Sequence, residues 1–265
     1  MGGVTVRNLR LTVAYDGTGY FGFQDQGRDD RPTVQRTLEA AWARLVGESV
    51  KIIGAGRTDA GVHAEGQVVN FRTRSAAIPA ERVPHAFNSV LPPDIRVTGC
   101  DEVPLEFHAR FDAIAKQYVY RIDNRPFPSP LLRHFTYFVA RPLDVEAMRQ
   151  GGAFLVGRHD FRAFAGSAHG ERSTVRTLTR CSVDEHRGLI EITVEGDAFL
   201  NHMVRIIAGT LVKVGHGEHP PEWVAEVLSS QDRRRAGPTL PGKGLTLMWV
   251  KYPPLAGKEK TGKLP

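Results

Sequence analysis

Val50-Lys-Ile-Ile-Gly-Ala-Gly-Arg-Thr-Asp-Ala-Gly-Val-His-Ala-Glu-Gly-Gln-Val-Val-Asn-Phe71 is the stretch on which the fold turns. Its two ends, residues 50–53 and 67–71, are apolar and rich in β-branched side chains, the composition of strands. Between them, Gly54–His63 holds three glycines and two alanines. So little side-chain bulk lets a large ligand approach the backbone. One carboxylate, Asp59, stands in the middle, two residues after the guanidinium of Arg57. Neither of the common nucleotide loops fits. A dinucleotide fingerprint needs glycine at position 59, and a P-loop needs Lys followed by Ser or Thr after Gly61. Asp59 and Val62-His63 stand there instead, and the loop runs into a strand, not into a helix whose N-terminus could hold phosphate. From these residues alone, Asp59 is either a reactive group on a rigidly held loop or part of an ordinary turn.

Outward from this stretch the pattern is regular. Arg10–Tyr15 alternates as a strand and ends in Asp16-Gly17. Val34, Leu38, Ala41, Trp42 and Leu45 recur at helical spacing, with Thr33 placed as N-cap and Gly47 as C-cap. Residues 80–90 read as a helix with Pro84 in its first turn, and a strand starts at Ile95. The order is β-α-β-β-α-β. The second half repeats it: a strand at 118–122, a helix at 145–156, and a hairpin at 178–184 and 189–194 turning on Arg187-Gly188. A helix at 200–214, stopped by Gly215, a short helix at 222–228 and a strand at 245–250 complete it. The expected fold is α+β, two ferredoxin-like halves with antiparallel sheets joined around a central cleft. The halves are expected at 1–105 and 106–256. Residues 257–265 are expected to be a disordered basic tail, and 16–32 and 165–174 mobile substrate loops.

The chain has 265 residues, 41% hydrophobic and 24% charged, enough for a sizeable core. No apolar stretch approaches the roughly 18–20 residues of a membrane span, and no signal-peptide apolar region opens the chain. Cys100 and Cys181 form no C-x-x-C pair and read as buried thiols of a reduced cytoplasm. The net charge of +6 and an excess of arginine over lysine fit a polyanionic partner such as RNA.

Three further segments place polar groups where a core would exclude them. Tyr118 and Tyr120 share a strand face, and Tyr118 either stacks on a base or packs in the sheet. Arg205 interrupts an apolar helix and needs a carboxylate partner; Asp59 is one candidate, and a structural ion pair elsewhere is the other. Asp16–Gln26 mixes glycine, aromatics and amides, suited to stacking. His216-Gly-Glu-His219 lacks the further ligands of a metal site, and Arg233-Arg-Arg235 reads as a solvated basic patch within reach of phosphates.

Together these motifs resemble those of the tRNA pseudouridine synthase A family. Gly54–His63 with Gly66–Val69 carries the most specific likeness. Tyr15-Asp-Gly17, Tyr20–Gln24, Val34-Gln35, Phe107–Phe111, Tyr118–Tyr120, Met203–Arg205 and Gly244-Leu245 follow in family order. The chain departs from the family at Phe23, Asp112 and Leu240-Pro241, the last at a pocket rim. The resemblance implies isomerisation of uridine to pseudouridine at positions 38, 39 and 40 of the tRNA anticodon stem-loop, with no cofactor and no metal. It implies Asp59 as nucleophile, Arg205 as the partner that keeps it ionised, and Arg57 as the group that fills the gap left by the flipped base or holds its phosphate. Tyr118 would stack on the uracil and assist proton removal at C5. Arg110, His63, Gln67 and Leu245 are assigned to substrate binding. The family is typically homodimeric, with tRNA across both subunits. A non-catalytic RNA-binding module is the alternative, but aromatic RNP motifs are not evident.

Overall fold

The structure, a computed structural model, describes residues 5–27, 31–166 and 173–254. Within them the elements run β1 Arg7–Tyr15, α1 Val34–Val46, β2 Ile53–Gly54, β3 His63–Thr73, α2 Val83–Val90 and β4 Ile95–Val103. There follow β5 Ala115–Asp123, β6 Tyr137–Phe138, α3 Val145–Ala153, β7 Gly157–Asp160, β8 Val175–His186 and β9 Leu189–Gly196. The chain closes with α4 Met203–Gly215, α5 Trp223–Ser230 and β10 Leu245–Lys251. The expected tail at 257–265 and the centre of the 165–174 loop lie outside the described residues.

Local chemistry accounts for most boundaries. The Thr33 hydroxyl accepts the Arg36 N–H at the start of α1, and Gly47, at φ 73°, returns its N–H to Ala43 O at the end. Val34, Leu38, Ala41 and Trp42 form the buried stripe of that helix. Trp42 stacks on Phe87 at 5.6 Å and meets Phe71 edge-on at 5.0 Å, joining α1, α2 and β3 in one core. The β8–β9 hairpin turns on Arg187 and Gly188, both with positive φ, as its right-handed twist requires.

Four expectations needed correction. First, residues 50–52 are not strand. The Gln35 amide donates to Ile52 O and Glu39 accepts Ile52 N–H, so α1 satisfies that backbone and only Ile53 and Gly54 pair with β3. Second, α4 runs through Gly215, where Met148 and Leu143 pack too closely for a Cβ; the left-handed residue is Gly217. Third, α4 begins at Met203, not at Leu200, and is buried on nearly every face. Fourth, the two halves do not carry separate sheets. Thr246 pairs in parallel with His63 and Leu247 with Ala64, so β3 and β10 fuse everything into one ten-stranded sheet, β4-β1-β3-β10-β5-β9-β8-β7, with β2 on β3 and β6 on β5.

The sheet is mostly antiparallel and the fold is α+β. The two halves repeat one order, β4-β1-β3-β2 and β10-β5-β9-β8. The register Tyr15–Ala64–Leu247–Tyr118 carries a single apolar face across the join. The loop after β2 therefore stands over the centre of the sheet, between the helices of both halves. No helix among the described residues is long and apolar enough to cross a membrane.

Candidate active site

The Gly54–His63 loop is fastened from several sides. Its Thr58 hydroxyl meets the Tyr15 hydroxyl at 2.8 Å, and Thr58 O accepts the Phe23 N–H at 3.0 Å. Gln67 donates to Gly56 O at 3.0 Å. Residues 59–62 form a turn closed by Val62 N–H to Asp59 O, with Gly61 at φ 74°. The turn reading was thus correct for the backbone, but the Asp59 side chain does not cap it.

Instead, Asp59 Oδ2 accepts Arg205 Nη1 at 2.7 Å and lies 3.3 Å from His202 Nε2. Oδ1 has no hydrogen-bond partner among the described residues. Arg205 itself is held by Nε to Leu240 O at 2.7 Å, and Leu240 N–H returns to Arg205 O. The Leu240-Pro241 segment is therefore the support of Arg205, and Pro241 O also accepts the Tyr120 hydroxyl.

Around this pair lies a cavity of about 990 Å³, bounded by both halves of the chain. Arg57, Arg110, Lys116, Tyr118 and Leu245 all reach it. Arg57 is exposed and makes no hydrogen bond or ion pair among the described residues. Arg110 is exposed and packs on the Phe111 ring at 5.8 Å. Tyr118 is buried edge-on against Phe199 at 5.0 Å. Burial, with Tyr15 and Asp59 nearby, pushes its hydroxyl above the usual phenol range. The phenol stays protonated near neutrality. Lys116 Nζ donates to Ala55 O at 2.7 Å; its burial, and then the charge of Arg110, push its ammonium down to about 8.

His63 and Gln67 are not on the cavity wall. His63 is buried behind the loop, accepting Gly17 N–H at Nδ1 and donating from Nε2 toward His134 O and Lys243 O. Gln67 is fully buried under Gly56. Gln67 shares the sheet face of Tyr15 and satisfies Gly56 O of the loop, whereas His63, next to Ala64, points to the opposite face and satisfies Gly17 N–H and the His134 and Lys243 carbonyls. Asp16–Gln26 also supports the loop, and its Phe21, Phe23, Gln24 and Gln26 line the cavity. Tyr20 and Phe23 are core residues, and Phe23 fills the space above Gly54. So the part of the expected mobile loop at 16–27 is fastened, and 28–30 lie outside the described residues. Arg233 is tied to Gly237 O and Thr239, Arg234 to Asp232 and Arg235 to Glu226, which leaves that patch internally paired. His219 stacks on Trp223 at 3.8 Å.

Sequence reasoning missed His202 and Lys116. A signal existed for Lys116, which shares the strand face of Tyr118 two residues on. For His202 the only hint was its place one turn before Arg205.

A carboxylate pinned by an arginine inside a basic, two-sided cleft is the furniture of an enzyme acting on a polyanion. Residues 11–112 and 153–253 match the family model described as tRNA pseudouridine synthase, and the chain belongs to that family. It is 46% identical over 246 residues to tRNA pseudouridine synthase A 2 of Clostridium tetani, covering 93% of this chain and 99% of that one. It is 45% identical over 247 residues to tRNA pseudouridine synthase A of Acetivibrio thermocellus, covering 93% and 100%. It is 47% identical over 245 residues to tRNA pseudouridine synthase A of Myxococcus xanthus, covering 92% and 91%. The branch is thus the A branch, and the activity is that of an isomerase making pseudouridine in tRNA.

Proposed function

We propose that this chain converts uridine to pseudouridine at positions 38, 39 and 40 of the anticodon stem-loop, with Asp59 as nucleophile and no cofactor. The observation that carries the reading is the state of Asp59: it lines the cavity, Oδ2 is held by Arg205, and Oδ1 takes no hydrogen bond among the described residues. The net reaction breaks N1–C1′ and forms C5–C1′; C5 loses one proton and N1 gains one. It is redox-neutral and calls only for a nucleophile, shape and proton exchange with water. Arg205 keeps Asp59 ionised and aimed. Tyr118 and Leu245 bracket the base, while Arg57, Arg110 and Lys116 take phosphates of a nucleotide that must first be flipped from its stem. Gln67 acts from beneath by fixing the loop at Gly56, and His63 by holding Gly17. The repeated strand order supports two ferredoxin-like halves at 1–105 and 106–256. A cytoplasmic homodimer with tRNA across both subunits follows from the family likeness.

The test is release of tritium from C5-labelled uridine in unmodified tRNA, without ATP, NAD or added metal. Wild-type protein is expected to release it and Asp59→Ala to release none, while still binding tRNA with an affinity that falls steeply with salt. Full activity of Asp59→Ala would remove the nucleophile assignment. Undiminished release from tRNA lacking uridine at 38–40 would remove the positional one. Absence of release from any tRNA by the wild type favours the binding module.

A further inference from the structure

His202 lies outside the motif residues to which a role has been given, yet it touches the reactive carboxylate. It occupies the N-cap of α4 in the left-handed conformation, at φ 60° and ψ 3°. This conformation is uncommon for any residue with a Cβ, and where it persists the surroundings hold it. It makes no side-chain cap to its own helix. Its ring is turned instead toward Asp59, with Nε2 3.3 Å from Oδ2.

The surroundings that hold it are visible. Gly166 donates its N–H to Asn201 O at 2.9 Å. A Cβ at Gly166 would fall 2.4 Å from Asn201 Oδ1 and 3.0 Å from His202 Nδ1, so the segment after β7 presses directly on this turn. Arg205, three residues on and one turn into the helix, reaches the same carboxylate at 2.7 Å. Both contacts fall on one oxygen, Oδ2. A carboxylate has two oxygens able to accept; here the Arg205 hydrogen bond and the imidazole packed 3.3 Å away both meet one of them, which leaves the other's lone pairs unspent.

We infer that His202 is a positioning residue for the pseudouridine synthase reaction: with Arg205 it clamps Asp59 Oδ2, and the clamp presents Oδ1 as the oxygen that meets the substrate. The inference rests on Asp59 being the nucleophile. Arg205 alone supplies charge but leaves the carboxylate free to rotate about its Cβ–Cγ bond. The imidazole, arriving from a second direction, removes that freedom before substrate binds, which is where orientation lowers a barrier.

The test uses full-length His202→Asn and His202→Gln with unmodified tRNA. Asparagine tolerates the left-handed conformation but is too short to keep the contact with Oδ2. Its thermal midpoint and tRNA affinity are expected to match the wild type, while single-turnover kcat falls at least about tenfold. Glutamine keeps an N–H donor at longer reach and is expected to recover a large part of that loss. Wild-type kcat in His202→Asn, or a loss confined to tRNA affinity, would overturn the inference. So would a Gln variant as slow as the Asn variant. Asp59→Ala is run beside them. If it stays active, the nucleophile assignment fails first; if it is dead while His202→Asn is fast, only the clamp fails.

Discussion

Arg205 Nη1 and Asp59 Oδ2 meet at 2.7 Å across 146 positions of chain. Asp59 comes from a loop of the first half and Arg205 from the first turn of α4 in the second. The ion pair is therefore assembled only when the halves close on one sheet. Arg205 also donates to Leu240 O, so its planar fork serves two acceptors at once.

Lysine cannot reproduce that fork. Arg205→Lys is expected to lower kcat by about 10²-fold or more with tRNA affinity little changed. Single-turnover rates at saturating tRNA check this; a loss carried by KM alone would contradict the orienting role.

Gly22 tests how firmly the loop must be held. It sits at φ 86°, and a Cβ there would lie 2.6 Å from Thr58 O, next to Asp59. Gly22→Ala is expected to cost more than ~1 kcal/mol in denaturant unfolding. Activity should fall further than stability alone explains, because the displaced carbonyl carries the loop with it.

Lys116 gives a pH signature. Its ammonium is pushed down to about 8 by burial and by Arg110, so the free protein loses this charge between pH 7 and 9. The unfolded chain holds the proton up to the ordinary lysine value of about 10.4, so this group's penalty on stability is full below pH 8 and is relieved as pH rises from there. Phosphate binding runs the other way: tRNA affinity at fixed salt should weaken as pH rises through about 8. Lys116→Met should show a smaller drop, measured by titration at pH 7 and 9.

Trp42 holds α1, α2 and β3 together from a fully buried position. Trp42→Ala is expected to lose about 3–5 kcal/mol in urea unfolding. Its indole N–H has no hydrogen-bond partner among the described residues, so Trp42→Phe should lose far less.

How much of this was legible follows the range of the forces involved. Caps, turns and apolar periodicity act within a few residues, so α1 with Thr33 and Gly47, the β8–β9 turn, the doubled β-α-β-β-α-β order and the singular Asp59 loop were readable in the residue pattern. Strand alternation says that Gln67 and His63 have a face but not what covers it; tertiary packing buried both, Gln67 beneath the loop and His63 on the other face against Gly17 and Phe135. Nothing local distinguishes two sheets from one. The two β3–β10 pairs decided that, and with them the meeting of Asp59 and Arg205. The left-handed turn at His202 is likewise invisible in sequence, because the contacts that hold it come from Gly166 and Asp59, far along the chain. Local chemistry named the parts; long-range packing decided which of them touch.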